Sequence, residues 1–123
     1  MVEISLSGSG EGPGGASAWA YSTDVILEFL RMLVPVIREI ERHDRDLARQ
    51  LRRSATSMAL NTGEGSGSSG GTRTERYKNA LSSARETGCN LDSAVALDYV
   101  RDLDPRLLDM LDHIRAVLFK NVR

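Results

Sequence analysis

Apolar residues recur along most of this chain at helical spacing. Ile26, Leu30, Leu33, Ile37 and Ile40 are spaced four, three, four, three, the seam of a packed helix. A second stripe, Val25, Phe29, Met32, Val36 and Ile40, lies beside it. Together they make the apolar face wider than one bundle core needs, and that width predicts a subunit interface. The helix is expected to start near Ser22-Thr23-Asp24, all good N-caps. It is expected to kink or restart at Pro35, which has no amide proton.

Asp44 or Asp46 is expected to cap a second helix with Leu47, Leu51, Ala55, Met58 and Thr62 inside, thinned by Ala48 and Ala59. Gly63, Gly65 and Gly67 are expected to stop it. A third helix opens at Thr72-Arg73-Thr74-Glu75, which spells a capping box. Tyr77, Leu81, Ala84, Gly88, Leu91 and Val95 continue the rhythm, and small Ala84 and Gly88 invite a close neighbour. Asp104-Pro105 marks a fourth start, followed by Leu107, Leu111, Ile114 and Leu118 with Met110 and Val117 beside them. No segment alternates like a half-buried strand. The expected fold is all-α, an antiparallel up-down four-helix bundle over residues 22–123. Residues 1–21 are expected to be a flexible Gly/Ser-rich leader, with Trp19 and Tyr21 packing on the bundle.

Composition narrows the function classes. The 123 residues make room for one domain, and 41% apolar content suffices for its core, with only 5% aromatic. Sixteen basic against 17 acidic residues give a formal charge of -1, which excludes a uniformly cationic surface but not a local basic face. The lone Cys89 cannot form an internal disulfide, so nothing asks for an oxidising compartment. Met1 to Gly10 lacks the pattern of a signal peptide, and the apolar run Met32 to Ile37 is far short of a membrane span. A cytoplasmic protein is expected.

Candidate chemistry is sparse. Gly65-Ser66-Gly67-Ser68-Ser69-Gly70 spells G-x-G-x-x-G, but a helix precedes it where a dinucleotide site needs a strand. A near P-loop over Gly65 to Thr72 has Gly71 in the lysine position, so a flexible connector is the better reading. His43 and His113 stand alone, as surface or helix-end residues rather than metal ligands. Cys89 is expected to be a buried inert thiol, and Ser54, Ser57, Ser82 and Ser83 have no histidine at useful spacing. No catalytic residue, metal or cofactor is therefore expected. Glu64, flanked by glycines and next to Asn61 and Gly65, lies at a helix C-terminus where its charge is unfavourable. It is expected to accept hydrogen bonds as a structural clamp rather than act as a catalytic acid.

The strongest charge feature is arginine. Arg38, Arg42, Arg45, Arg49 and Arg52 repeat at helical spacing with Arg53 adjacent. They form one stripe if the first two helices run together, or two patches if the chain turns at Asp44. Arg73, Arg76 and Lys78 oppose the macrodipole at the start of the third helix, which hints at an external anion or a carboxylate from another helix. Arg45, Arg49, Arg52, Arg53, Arg73, Arg76 and Lys78 are the candidate nucleic-acid contacts, set against a solvated face of ion pairs.

Gln50-Leu51-Arg52-Arg53-Ser54-Ala55-Thr56-Ser57, then Asn61-Thr62-Gly63-Glu64-Gly65, resembles the Q-L-R-R-A-x-x-S…N-I-A-E-G signature of the four-helix-bundle proteins named for the 23S rRNA intervening sequence. Ala80-Leu81-Ser82-Ser83-Ala84-Arg85-Glu86 resembles that family's A-x-G-S-A-x-E. The resemblance spans about Asp24 to Val122, with Thr62-Gly63 for Ile-Ala and Ser82 for glycine as departures. It implies a homopentamer, with Asn61, Glu64, Gly65, Ser83 and Glu86 as an assembly motif. It also implies kinship with the accessory variability protein of diversity-generating retroelements, a basic pentamer that binds RNA and a reverse transcriptase; this chain is near-neutral. The expected function is a non-enzymatic oligomeric scaffold or accessory factor for a protein or ribonucleoprotein, such as a reverse transcriptase–RNA complex. Direct RNA or DNA binding through a repeated basic patch comes second, and an enzyme using the Asn61/Glu64 pocket third.

Overall fold

A computed structural model describes residues 14–122, with side chains from Asp24 onward. Four helices account for most of them, α1 (Gly14–Glu41), α2 (Arg45–Ser66), α3 (Gly70–Ala96) and α4 (Pro105–Lys120), with no strand among the described residues. They form a helical bundle in which α1 and α3 each pack against both α2 and α4, most extensively where α2 meets α3. No helix is long and apolar enough among the described residues to cross a membrane.

The first helix begins at Gly14, ahead of the Ser22-Thr23-Asp24 cap expected from sequence. The greater part of the expected 1–21 leader, and the side chains of Trp19 and Tyr21, lie outside the described residues. Pro35 does not restart the helix. It lies on the exposed side, as does Arg31, so the carbonyl that loses its proline partner is left where solvent can satisfy it. Both apolar stripes turn inward: Val25, Ile26, Phe29, Leu33, Ile37 and Ile40 are buried, while Leu30, Met32 and Val36 are packed against the core. The width expected to mark a subunit interface is thus absorbed by the chain's own core. Leu27 and Val34 remain exposed on the outer face.

After α1 the chain turns through Arg42 and His43, and Asp44 caps α2 by accepting from the Asp46 and Leu47 amides at 3.0 Å each. The arginine series therefore breaks into two patches at a corner. Leu51, Ala55, Met58 and Thr62 of the expected inner face are buried, with Ala48, Ser54 and Gly65, while Leu47 is only partly buried against the core. Only Gly67 ends the helix, its amide donating to the Glu64 carbonyl at 3.2 Å while the Ser68 amide donates to that of Gly65 at 3.1 Å. Gly63 and Gly65 stay helical, because a glycine weakens a helix without forbidding it. Gly65 is needed for another reason: a Cβ there would stand 2.5 Å from Tyr77 Cδ1.

The third helix starts earlier than its capping box. Gly70, at φ +59, takes the left-handed turn that brings the short Gly67–Ser69 connection into α3, a conformation suited to glycine. Ser69 occupies the cap position without a side-chain hydrogen bond, and Thr72 and Glu75 are exposed within the helix. The buried face is Tyr77, Ala80, Leu81, Ala84, Thr87, Asn90, Leu91 and Ala94. It is rotated from the expected seam, so Val95 is exposed and Gly88 faces Arg115 and Leu111 of α4. The same rotation exposes Cys89, which corrects its expected burial. The last helix follows its sequence signals: Asp104 accepts from the Arg106 amide at 2.9 Å, Pro105 occupies the first turn, and Leu107, Leu111, Ile114 and Leu118 are buried.

Gly65 and Gly63 make a matched pair. Gly65→Ala should drive a methyl into the Tyr77 ring and cost about 1–3 kcal/mol. Gly63→Ala meets nothing within 4 Å and should stabilise the helix by roughly 0.5 kcal/mol. Urea unfolding of both variants checks the opposite signs.

Candidate functional site

The face shared by α2 and α3 carries the chain's polar interior. The two helices make the most extensive contact in the bundle, and hydroxyls as short as those of Ser57 and Ser83 meet across it, so the backbones run close together. Polar groups caught between them lose water and must find one another. Ser54 Oγ receives Thr87 Oγ1 at 3.0 Å and Asn90 Nδ2 at 3.2 Å, and donates to the Leu51 carbonyl at 3.2 Å. One turn along, Ser57 Oγ pairs with Ser83 Oγ at 2.9 Å and accepts from Asn61 Nδ2 at 3.2 Å. Thr62 turns its hydroxyl back onto the Met58 carbonyl at 2.8 Å.

Two grooves open beside this ladder. One, of about 350 Å³, is lined by Gln50, Arg53, Ser54, Ser57, Ser83 and Glu86. The other, of about 480 Å³, runs past Arg52, Arg53, Ser57, Asn61, Glu64 and Arg76, with Leu60 in its wall. Leu60 is 60% exposed, the most exposed of the large apolar side chains described. Arg76 Nη1 meets Glu64 Oε1 at 3.1 Å across the two helices, which supplies the partner that both misplaced charges lacked in the sequence. The pair is exposed and of low energetic value, so it orients more than it stabilises.

The candidate cations divide. Arg52, Arg53 and Arg76 share the second groove. Arg49 is paired with Asp46 one turn away, and Arg73 Nε donates to the Ser68 carbonyl at 2.9 Å, closing the α2–α3 turn. Arg45 and Lys78 are exposed and line neither groove. The assembly motif divides as well: Asn61 and Glu64 line the second groove, Ser83 and Glu86 the first, while Gly65 is buried beneath Tyr77. Burial pushes the Tyr77 phenol up to about 12, against the pull of the nearby Arg73 charge.

Thr87 and Asn90 were missed as inward residues. Their signal was present: Ser83, Thr87 and Asn90 repeat at helical spacing, as do Ser54, Ser57 and Asn61, so two polar stripes face each other.

A second polar cluster ties the opposite end. The Tyr99 hydroxyl donates to Asp44 Oδ2 at 3.2 Å, and its ring stacks on His43 with centroids 5.4 Å apart and 8° between planes. Bonding to the Leu47 amide above all, then to the Tyr99 hydroxyl and the Asp46 amide, holds the Asp44 carboxyl below its ordinary value against partial desolvation. Desolvation, and then the Asp44 bond, raises Tyr99. His113 on α4 is half-buried, and burial followed by the Lys120 charge lowers its pKa. No group of three or more metal-ligating side chains gathers among the described residues. Comparison with protein-family models, curated proteins and solved structures finds no match to the chain.

Two measurements probe these clusters. Ser54→Ala should cost about 1–3 kcal/mol in urea unfolding, because buried Asn90 loses its acceptor. The lowered Asp44 pKa means that its contribution is complete above the ordinary carboxylate range and lost as pH falls through the folded value. Asp44→Asn keeps a capping side chain, so its stability should decline less than that of the parent below about pH 4.

Proposed function

We propose that this protein is a non-enzymatic oligomeric four-helix bundle that serves in the cytoplasm as a scaffold or accessory factor for a protein or ribonucleoprotein. The carrying observation is the outward face of α2, where exposed Leu60 is surrounded by Arg52, Arg53, Asn61, Glu64 and Arg76. An apolar centre within a polar, arginine-rich rim is the anatomy of a protein interface. An antiparallel up-down arrangement is supported by pairing order: Ser54, Ser57 and Gly65 of α2 meet Thr87, Ser83 and Tyr77 of α3 in reverse sequence. The likeness of Gln50–Gly65 and Ala80–Glu86 to the intervening-sequence family supports a homopentamer and a partner such as a reverse transcriptase–RNA complex.

Direct RNA or DNA binding is the second reading. It is favoured by Arg52 and Arg53, which share a groove and form no ion pair among the described residues. Repetition in an oligomer would multiply a modest patch.

Light scattering coupled to size exclusion should return the mass of a pentamer, and Leu60→Asp, on the partner face, should leave both that mass and the helical circular dichroism unchanged. A parent chain that stays monomeric at micromolar concentration overturns the assembly. In filter binding at low salt, retention of single-stranded RNA that falls steeply with added salt would carry the second reading.

A further inference from the structure

The two α2–α3 grooves are parts of one surface, because Arg53 and Ser57 line both. From Gln50 to Glu64 this trough follows α2 for about 21 Å, the length of roughly six extended residues. Its centre offers a spare hydrogen-bond donor. Asn61 Nδ2 reaches both the Ser57 carbonyl, at 3.0 Å, and Ser57 Oγ, at 3.2 Å, so the amide turns its donor side to Ser57. Ser57 and Ser83 then have two hydroxyl protons for the single bond between them, at 2.9 Å. The other proton faces the open trough, where an incoming acceptor can take it from solvent. Beside it Arg53 forms no ion pair among the described residues, whereas Arg76 is already held by Glu64.

That combination asks for an acceptor with negative charge. A nucleic-acid backbone answers it poorly, since Glu86 stands at one end of the trough and Glu64 at the other, and no aromatic ring lines it for base stacking. A peptide answers both demands: its carboxylate can meet Arg53 and the free hydroxyl, its amide N–H can meet Glu86, and an apolar side chain can cover Leu60.

We propose that the α2–α3 trough docks an extended acidic segment of a partner protein, with a carboxylate on Arg53 and the Ser57/Ser83 hydroxyl pair and an apolar side chain on Leu60. This rests on the reading of the protein as a partner-binding scaffold and names the recognition chemistry of that site.

The test follows backbone amide shifts of the full chain by nuclear magnetic resonance. The probes are acetyl-Ser-Leu-Ser-Glu-Ser-amide, its glutamine counterpart and a uridine hexanucleotide. The glutamate peptide should give saturable shifts confined to residues 50–64 and 83–86, and the glutamine peptide should bind about fivefold more weakly. Ser57→Ala and Ser83→Ala each leave one free hydroxyl proton and should keep near-parental affinity. The double variant leaves none and should lose about fivefold, as should Arg53→Gln, an exposed position that serves if the double variant fails to fold. No saturable shift up to about 10 mM peptide, a range that would still reveal weak binding, overturns the proposal. So does a folded double variant that binds like the parent, or tighter binding of the hexanucleotide at the same residues. Light scattering on the same samples separates the two claims. A pentamer that ignores the peptide sinks the docking site alone, and a monomer that binds it sinks the assembly alone.

Discussion

The close approach of α2 to α3 is the constraint from which the other features follow. Side chains as short as Ser54, Ser57, Ser83 and Thr87 reach one another across the gap, and Gly65 lies under the Tyr77 ring, so the two backbones run close together. Small side chains bury little apolar area each, so this seam gains less from the hydrophobic effect than a leucine seam would. It gains instead from close packing and from hydrogen bonds between groups that water no longer reaches. Ser54, Thr87 and Asn90 can be buried because each finds a partner on the facing helix or on its own backbone. Any slip of one helix along the other would break that set at once. The polar ladder therefore fixes the register of the two helices.

The rest of the bundle is built from the opposite material. Helices α1 and α4 contribute Ile26, Phe29, Leu33, Ile40, Leu107, Ile114 and Leu118, all essentially inaccessible. These large groups fill the space that a narrow α2–α3 pair leaves on its inner side. They set no register by hydrogen bonding, and the connections supply it. Asp44 caps α2 and receives the Tyr99 hydroxyl, so one carboxylate joins the α1–α2 turn to the α3–α4 connection. Arg73 and the Arg76–Glu64 pair do the same work at the α2–α3 turn.

What could be read in the sequence follows this division. The large-residue helices were legible: the Asp44 and Asp104 caps, the inner face of α4 and the apolar positions of α1 all lie where periodicity places them. Periodicity could not tell how much of α1 the chain itself would cover, since that depends on two neighbours rather than one. The small-residue pair was harder. The stripes by which its two helices meet are marked by serine, threonine and asparagine, types that are common on surfaces. The α3 face was consequently rotated in the expectation, which placed Val95 inside and Cys89 among the buried thiols. The capping box failed for a different reason. A local motif competes with tertiary packing, and a turn made possible by Gly70 let α3 begin before Thr72. Gly65, expected only to end a helix, is a packing residue, because its role depends on a ring far away in sequence.

Net charge misleads in the same way. A total of -1 describes a protein in which several arginines are matched by carboxylates one turn away, as in the Glu28–Arg31, Asp46–Arg49 and Asp112–Arg115 pairs. Exposed pairs of this kind contribute little stability, but they remove those cations from the field a partner meets at short range. The groove beside Leu60 differs. Arg52 and Arg53 stand beside Leu60 without such a neighbour, and Arg76 joins them only through Glu64. Screening cuts distant charges off within about 8–10 Å, so a docking group on α2 responds to these few residues rather than to the total. A near-neutral chain can thus present a locally cationic, partly apolar face, because a net charge sums over pairs and acids that lie elsewhere.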